Sequence, residues 1–78
     1  MEKHISLIGI DGNAMNIMAH VTSYMKYRFG FTPDDKDKYI AEAMSKDYDH
    51  LLQVSLKYCD LINERIDMYN NGEYAYRS

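Results

Sequence analysis

Apolar and polar residues follow two different rhythms along this 78-residue chain, and the change falls at Leu7-Ile8-Gly9-Ile10-Asp11-Gly12-Asn13-Ala14. Before it, His4 to Ile10 reads as a strand by residue type, with Ile5 and Leu7 on one face and Ile8 and Ile10 on the other. A lone strand leaves its N–H and C=O groups unpaired. Three placements are therefore open: pairing with the tail Glu73-Tyr74-Ala75-Tyr76-Arg77, pairing with another chain, or lying as an irregular apolar arm across helices.

After the change the pattern is helical. Asp11 or Asn13 can cap a helix running to Phe29, whose apolar side is Ala14, Met15, Ile17, Met18, Val21, Tyr24, Met25 and Phe29. Gly30 stands at the expected left-handed end, after Lys26 and Arg28 in the last turn. Thr32-Pro33-Asp34-Asp35 is a second start signal, with a cap, a proline at the first helical position and two acids at the positive end of the dipole. That short helix has Tyr39, Ile40, Ala43 and Met44 as its apolar edge, and carries the pairs Asp34–Lys38 and Glu42–Lys46. Ser45-Lys46-Asp47 interrupts, with Ser45 or Asp47 as the next cap.

A long helix then runs to Asn70, ended by Asn70-Asn71-Gly72. Its apolar residues, from Tyr48 and Leu51 through Leu56, Cys59 and Ile62 to Tyr69, cover over half the circumference. A helix packed on one side needs a stripe of about 100° or somewhat more. The excess predicts a second packing surface, most simply a symmetric copy of the chain. The expected fold is thus mainly α: one domain over 1–78, with an extended arm or strand and turn at 1–12, helices at 13–29, 33–45 and 47–70, and a tail at 73–78.

Composition narrows the class. With 46% apolar and 27% charged residues the chain is globular, and at this length its core is thin. No run approaches the roughly 20 apolar residues of a membrane span, and the first residues are too short and polar for a secretory signal; the expected location is cytoplasmic. One cysteine, Cys59, excludes an internal disulfide, leaving helix packing and self-association as routes to stability. The net charge of −3, concentrated as about −3 over residues 31–49, argues against general nucleic-acid binding.

Candidate chemistry is sparse. The turn Gly9-Ile10-Asp11-Gly12-Asn13 could cradle a phosphate, but it lacks the G-K-[ST] ending of a P-loop and Asp11 opposes an anion; a capped turn is the simpler reading. Asp47, Asp49 and His50, with His4 and His20, have metal-ligand chemistry without any metal-binding spacing, and capping already accounts for the acids. Cys59 lies within the apolar arc and reads as a small buried hydrophobe. No metal or other cofactor and no catalytic residue is expected. The oddity is eight tyrosines and six methionines, types enriched in interface cores. Either they fill a core without Trp, or Tyr24, Tyr27, Tyr48 or Tyr58 stack on a planar ligand such as a nucleobase while Lys26 or Arg28 holds its phosphate.

Residues 7–14, L-I-G-I-D-G-N-A, and 45–53, S-K-D-Y-D-H-L-L-Q, resemble a set of small uncharacterised phage, prophage and bacterial proteins. In these an L-I-G-x-D-G-N-A run precedes a helix and, some thirty residues later, a [ST]-x-D-Y-[DN]-x-L-L segment. The resemblance spans roughly residues 5–62 and implies a phage or mobile-element origin. It implies no catalytic residues, and the longer C-terminal helix and tyrosine tail depart from the pattern.

The expected function is that of a non-enzymatic, self-associating, phage-type accessory protein that binds and modulates a host protein, with the acidic segment Asp34 to Asp49 facing a basic surface. The alternative is a sponge for a small nucleotide signal of host defence. It would bind at a subunit interface through Asp11, Gly12, Asn13, Tyr24, Tyr27, Arg28, Tyr48 and Tyr58. An enzyme would require Asp47, Asp49 and His50 to converge in a cleft.

Overall fold

A computed structural model of the chain describes residues 2–72. Three helices, α1 (Ala14–Tyr24), α2 (Pro33–Ala43) and the long α3 (Tyr48–Asn70), are joined by a 3₁₀ turn at Tyr27–Phe29 and a short loop, and the described residues contain no strand. The mainly helical class and the long last helix are as the apolar pattern predicts. α3 is the spine on which α1, α2 and the 3₁₀ turn pack.

The first helix ends five residues earlier than its apolar spacing predicts. Thr22 and Ser23 explain where: their hydroxyls donate to the carbonyls of Met18 (2.9 Å) and His20 (2.6 Å), the local bonding by which such residues compete with helix continuation. Met25 then leaves the helical region (φ −84°, ψ 81°), and the Lys26 N–H closes a three-residue turn onto the Tyr24 carbonyl at 3.0 Å. This turn lets Met25, Phe29 and Phe31 all enter the core. The residue spacing continued across it because both segments face the same interior. Gly30 is left-handed (φ 85°), as expected, but it terminates the 3₁₀ turn instead of the helix.

α2 starts as read. Thr32 and Asp35 form a reciprocal capping box, the Thr32 N–H donating to the Asp35 carboxylate (2.8 Å) and the Asp35 N–H to the Thr32 hydroxyl (3.2 Å). Those bonds hold the Asp35 carboxyl below its ordinary range, the Thr32 backbone N–H contributing most. The helix stops at Ala43, two residues short of expectation, where Ser45 turns its N–H and hydroxyl onto the Glu42 carbonyl. Ser45 therefore closes α2, and Asp47 caps α3 by accepting from the His50 N–H at 3.0 Å.

Between the helices lies a core of Ile17, Met18, Val21, Met25, Phe29, Phe31, Tyr39, Ala43, Leu51, Val54, Cys59, Ile62 and Ile66, with Ile5 from the arm. Among the described residues the one buried polar side chain outside the aromatic set is Ser55, which shares a 2.6 Å hydrogen bond with the equally buried Tyr39 hydroxyl. Arg65 lies over the Phe31 ring, 4.5 Å from its centroid, and donates to the Phe29 carbonyl, fastening the 3₁₀ segment to α3.

Among the described residues, residues 4–10 form an irregular arm across a helix, the third of the three placements. The arm runs antiparallel to α3. Asn63 pairs with both N–H and C=O of Ile5 (2.7 and 3.1 Å), and Asn70 with both groups of Glu2 (3.0 and 2.9 Å). His4 Nε2 lies 2.5 Å from Asp67 between them. The expected alternative partner, the tail 73–78, lies outside the described residues.

The arm also changes what the wide apolar arc of α3 signifies. That arc is wrapped by four elements of the same chain: α1, α2, the 3₁₀ turn and the arm. Leu52, Tyr58, Leu61 and Tyr69 are half-buried against the core, and only Tyr48 and Leu56 of its large apolar side chains are exposed. Most of the arc is thus covered within the chain, Tyr48 and Leu56 excepted.

Candidate binding surfaces

The start of α1 is organised by short-range bonds. Asp11 accepts from the Asn13 N–H (3.2 Å), and Asn13 from the Met15 N–H (2.8 Å), so Asn13 is the cap. The Tyr48 hydroxyl donates to the Gly12 carbonyl, and a Cβ at residue 12 would stand 3.3 Å from that hydroxyl oxygen. Gly12 thus serves close approach of a tyrosine from α3. The turn read as a conceivable phosphate cradle is a capped turn docked on Tyr48.

Beside it opens an apolar groove of about 270 Å³. Ala14 and Ala43 are small, and buried Met18 and Leu51 form its floor. Met15 and Met44, 67% and 61% exposed, and Tyr48 stand at its rim, with Lys46 and Asp47 beside them. A second groove, between α2 and α3, is lined by Lys38, Ala41, Glu42, Ser45, His50, Val54, Lys57 and Tyr58. A third lies where the arm meets α3, among Ile5, Leu7, Ile8, Leu56, Cys59 and Asn63.

The eight residues expected at a ligand site are spread over these features. Asp11, Gly12, Asn13 and Tyr48 meet at the capped turn. Tyr24 packs edge-on against His20, 5.4 Å between ring centroids. Tyr27 is 82% exposed. Arg28 pairs with Glu2 at 2.5 Å and lies over the Phe29 and Tyr69 rings. Tyr58 packs on Tyr39, 4.8 Å between centroids. Each of the three grooves is lined by at most one of the eight.

Apart from exposed Asp49, the acid and histidine residues of the candidate cluster have separate local partners. Asp47 caps α3, Asp49 is exposed, and His50 Nε2 lies 2.9 Å from the Glu42 carboxylate, whose pKa that hydrogen bond lowers. His4 meets Asp67, and His20 Nε2 meets the Ser6 carbonyl at 2.9 Å. Among the described residues no three His, Cys, Asp or Glu side chains gather as metal ligands. Cys59 is buried as expected, and burial, aided by Asp60, pushes its thiol up to about 11. At neutral pH it is protonated and a poor nucleophile.

Two functional-looking residues escaped the reading of the chain: Asn63 and Asn70. The available signal was their spacing of seven, two helical turns, in a residue type that disfavours helix interiors. No helix of the described residues is long and apolar enough to cross a membrane. Compared with protein-family models, curated proteins and solved structures, the chain matches none.

Proposed function

We propose that this chain is a non-enzymatic accessory protein, of the phage-borne kind its two motifs resemble, that binds and modulates a host protein through the methionine-rimmed groove. The observation that supports the reading is the joint exposure of Met15, Met44 and Tyr48 around one apolar groove. Their neighbours Met18, Ala43 and Leu51 on the same three helices are buried. Methionine adapts to a partner's shape and tyrosine offers a rigid apolar body with a polar tip, the combination that interface centres favour. Lys46 and Asp47 supply a charged rim that fixes register without adding much affinity.

The test is photo-crosslinking from residue 15 or 44 in expressing host cells, with exposed Asp37 on α2 as the control position. One defined host protein should couple from 15 and 44 and not from 37, and Met44→Asp should abolish the complex. Being an exposed position, residue 44 should change stability by no more than about 0.5 kcal/mol. Equal coupling from all three positions, or a complex indifferent to Met44→Asp, would overturn the reading.

A further inference from the structure

Two side chains read four backbone groups of the arm. Seven helical residues advance about 10.5 Å, and three residues of extended chain about 10 Å. Asn63 and Asn70, seven apart on α3, therefore meet Ile5 and Glu2, three apart on the arm, with neither element bending. A helix here offers the paired donor and acceptor that a sheet edge offers an incoming strand. Such a seat recognises main chain in extended form. Selectivity comes from buried Ile5, the Glu2–Arg28 pair and the His4–Asp67 contact.

Two observations beside the seat bear on what else can fill it. The arm joins α1 through a turn closed from the Ile10 N–H to the Leu7 carbonyl (3.2 Å), with Gly9 at φ +82° and open space around it. At the apex of that turn Ile8 is 92% exposed, and it lines the same groove as Leu56, itself 55% exposed on α3. A single copy leaves this apolar pair uncovered at the point where the arm would leave its own body.

We propose that the Asn63–Asn70 seat also takes the arm of a second copy of this chain, by reciprocal exchange about a two-fold axis. Every bond the arm makes to α3 and α1 side chains within one chain is available unchanged between chains, so exchange gives up only the Ile10–Leu7 turn bond at the hinge. The turn at Gly9 is the hinge. The two hinges cross at the axis, where the exposed Ile8–Leu56 pairs of the two halves meet and cover each other. The tether keeps an arm near its own seat at an effective concentration of order 1 mM, so exchange grows in as protein concentration approaches that range. This inference is independent of the methionine groove, and either can fail alone.

Sedimentation equilibrium on the unmodified chain from about 10 μM to about 1 mM brackets that tether, and a dimer should appear across the range. It should be lost in Asn63→Ala/Asn70→Ala and in Ile5→Asp at equal concentration. Mixing those two full-length variants restores one intact arm and one intact seat, and should yield a 1:1 complex that neither forms alone. A chain that stays monomeric to about 1 mM, a dimer that persists without the asparagines, or a mixture that behaves as two separate monomers would overturn the proposal.

Discussion

The buried Tyr39–Ser55 pair allows a sharp test of how this small core is held. Both side chains are fully buried and their hydroxyls lie 2.6 Å apart, so each is the other's partner. Leaving a buried polar group unpaired costs about 1–3 kcal/mol, whereas removing both partners can be nearly neutral. Tyr39→Phe leaves the Ser55 hydroxyl, which can rotate to a carbonyl of its own helix, so the cost should be near 1 kcal/mol. Ser55→Ala leaves a phenol on a rigid, packed ring with no such recourse, and should cost about 2–3 kcal/mol. The double variant leaves no orphan and only a small void, so it should lie within about 1 kcal/mol of the parent. Urea unfolding of the four proteins reads this as a coupling energy of about 2 kcal/mol. In a domain of this size each kcal/mol moves Tm by roughly 4–8 °C, so Ser55→Ala and the double should separate visibly in thermal scans. A double variant as unstable as the sum of the singles would refute the argument that the pair exists to satisfy itself.

Two further outcomes concern the capped turn and the buried thiol. Gly12→Ala crowds the Tyr48 hydroxyl and should cost about 1 kcal/mol; Tyr48→Phe, which removes the crowded oxygen, should recover most of it, and equal costs in both backgrounds would disprove the contact. Burial raises the pKa of both Cys59 and Tyr39, the thiol to about 11, so the fold holds their neutral forms while the unfolded chain ionises first. The stability they contribute is complete below their unfolded values, about 8.5 and 10, and is lost as pH rises through the folded ones. Urea midpoints should therefore fall above about pH 9, less steeply in Cys59→Ala, and a thiol reagent should modify the native chain only as fast as it opens.

Much of this fold could be read from apolar spacing and caps because those signals are local. Thr32-Pro33-Asp34-Asp35 and Asp47 begin α2 and α3 where they do because a side-chain oxygen meets an N–H within three residues. The end of α1 was misplaced for a related reason: Met25 and Phe29 face the same core whether the chain between them is α-helical or turns, so periodicity does not register the turn at Met25. Thr22 and Ser23 were the only local sign of it. What could not be read was whatever depends on contacts across the chain. The eight candidate ligand residues stand out by type, and type does not say that Arg28 pairs with Glu2 or that Tyr58 packs on Tyr39.

The arm is the clearest instance of that limit. Residue type makes His4 to Ile10 a strand, and an extended backbone needs partners. Among the described residues its partners are two asparagines on the face of α3 that the apolar arc seemed to reserve for a second copy. A surplus of apolar surface on one helix therefore does not by itself indicate association. In this chain the arm covers much of the surplus; of what remains exposed on α3, Leu56 sits with Ile8 at the arm's own hinge and Tyr48 stands at the methionine groove. If copies of this chain associate there, the reason lies in the arm's backbone and the asparagines that read it, and the breadth of the helix's apolar face is secondary.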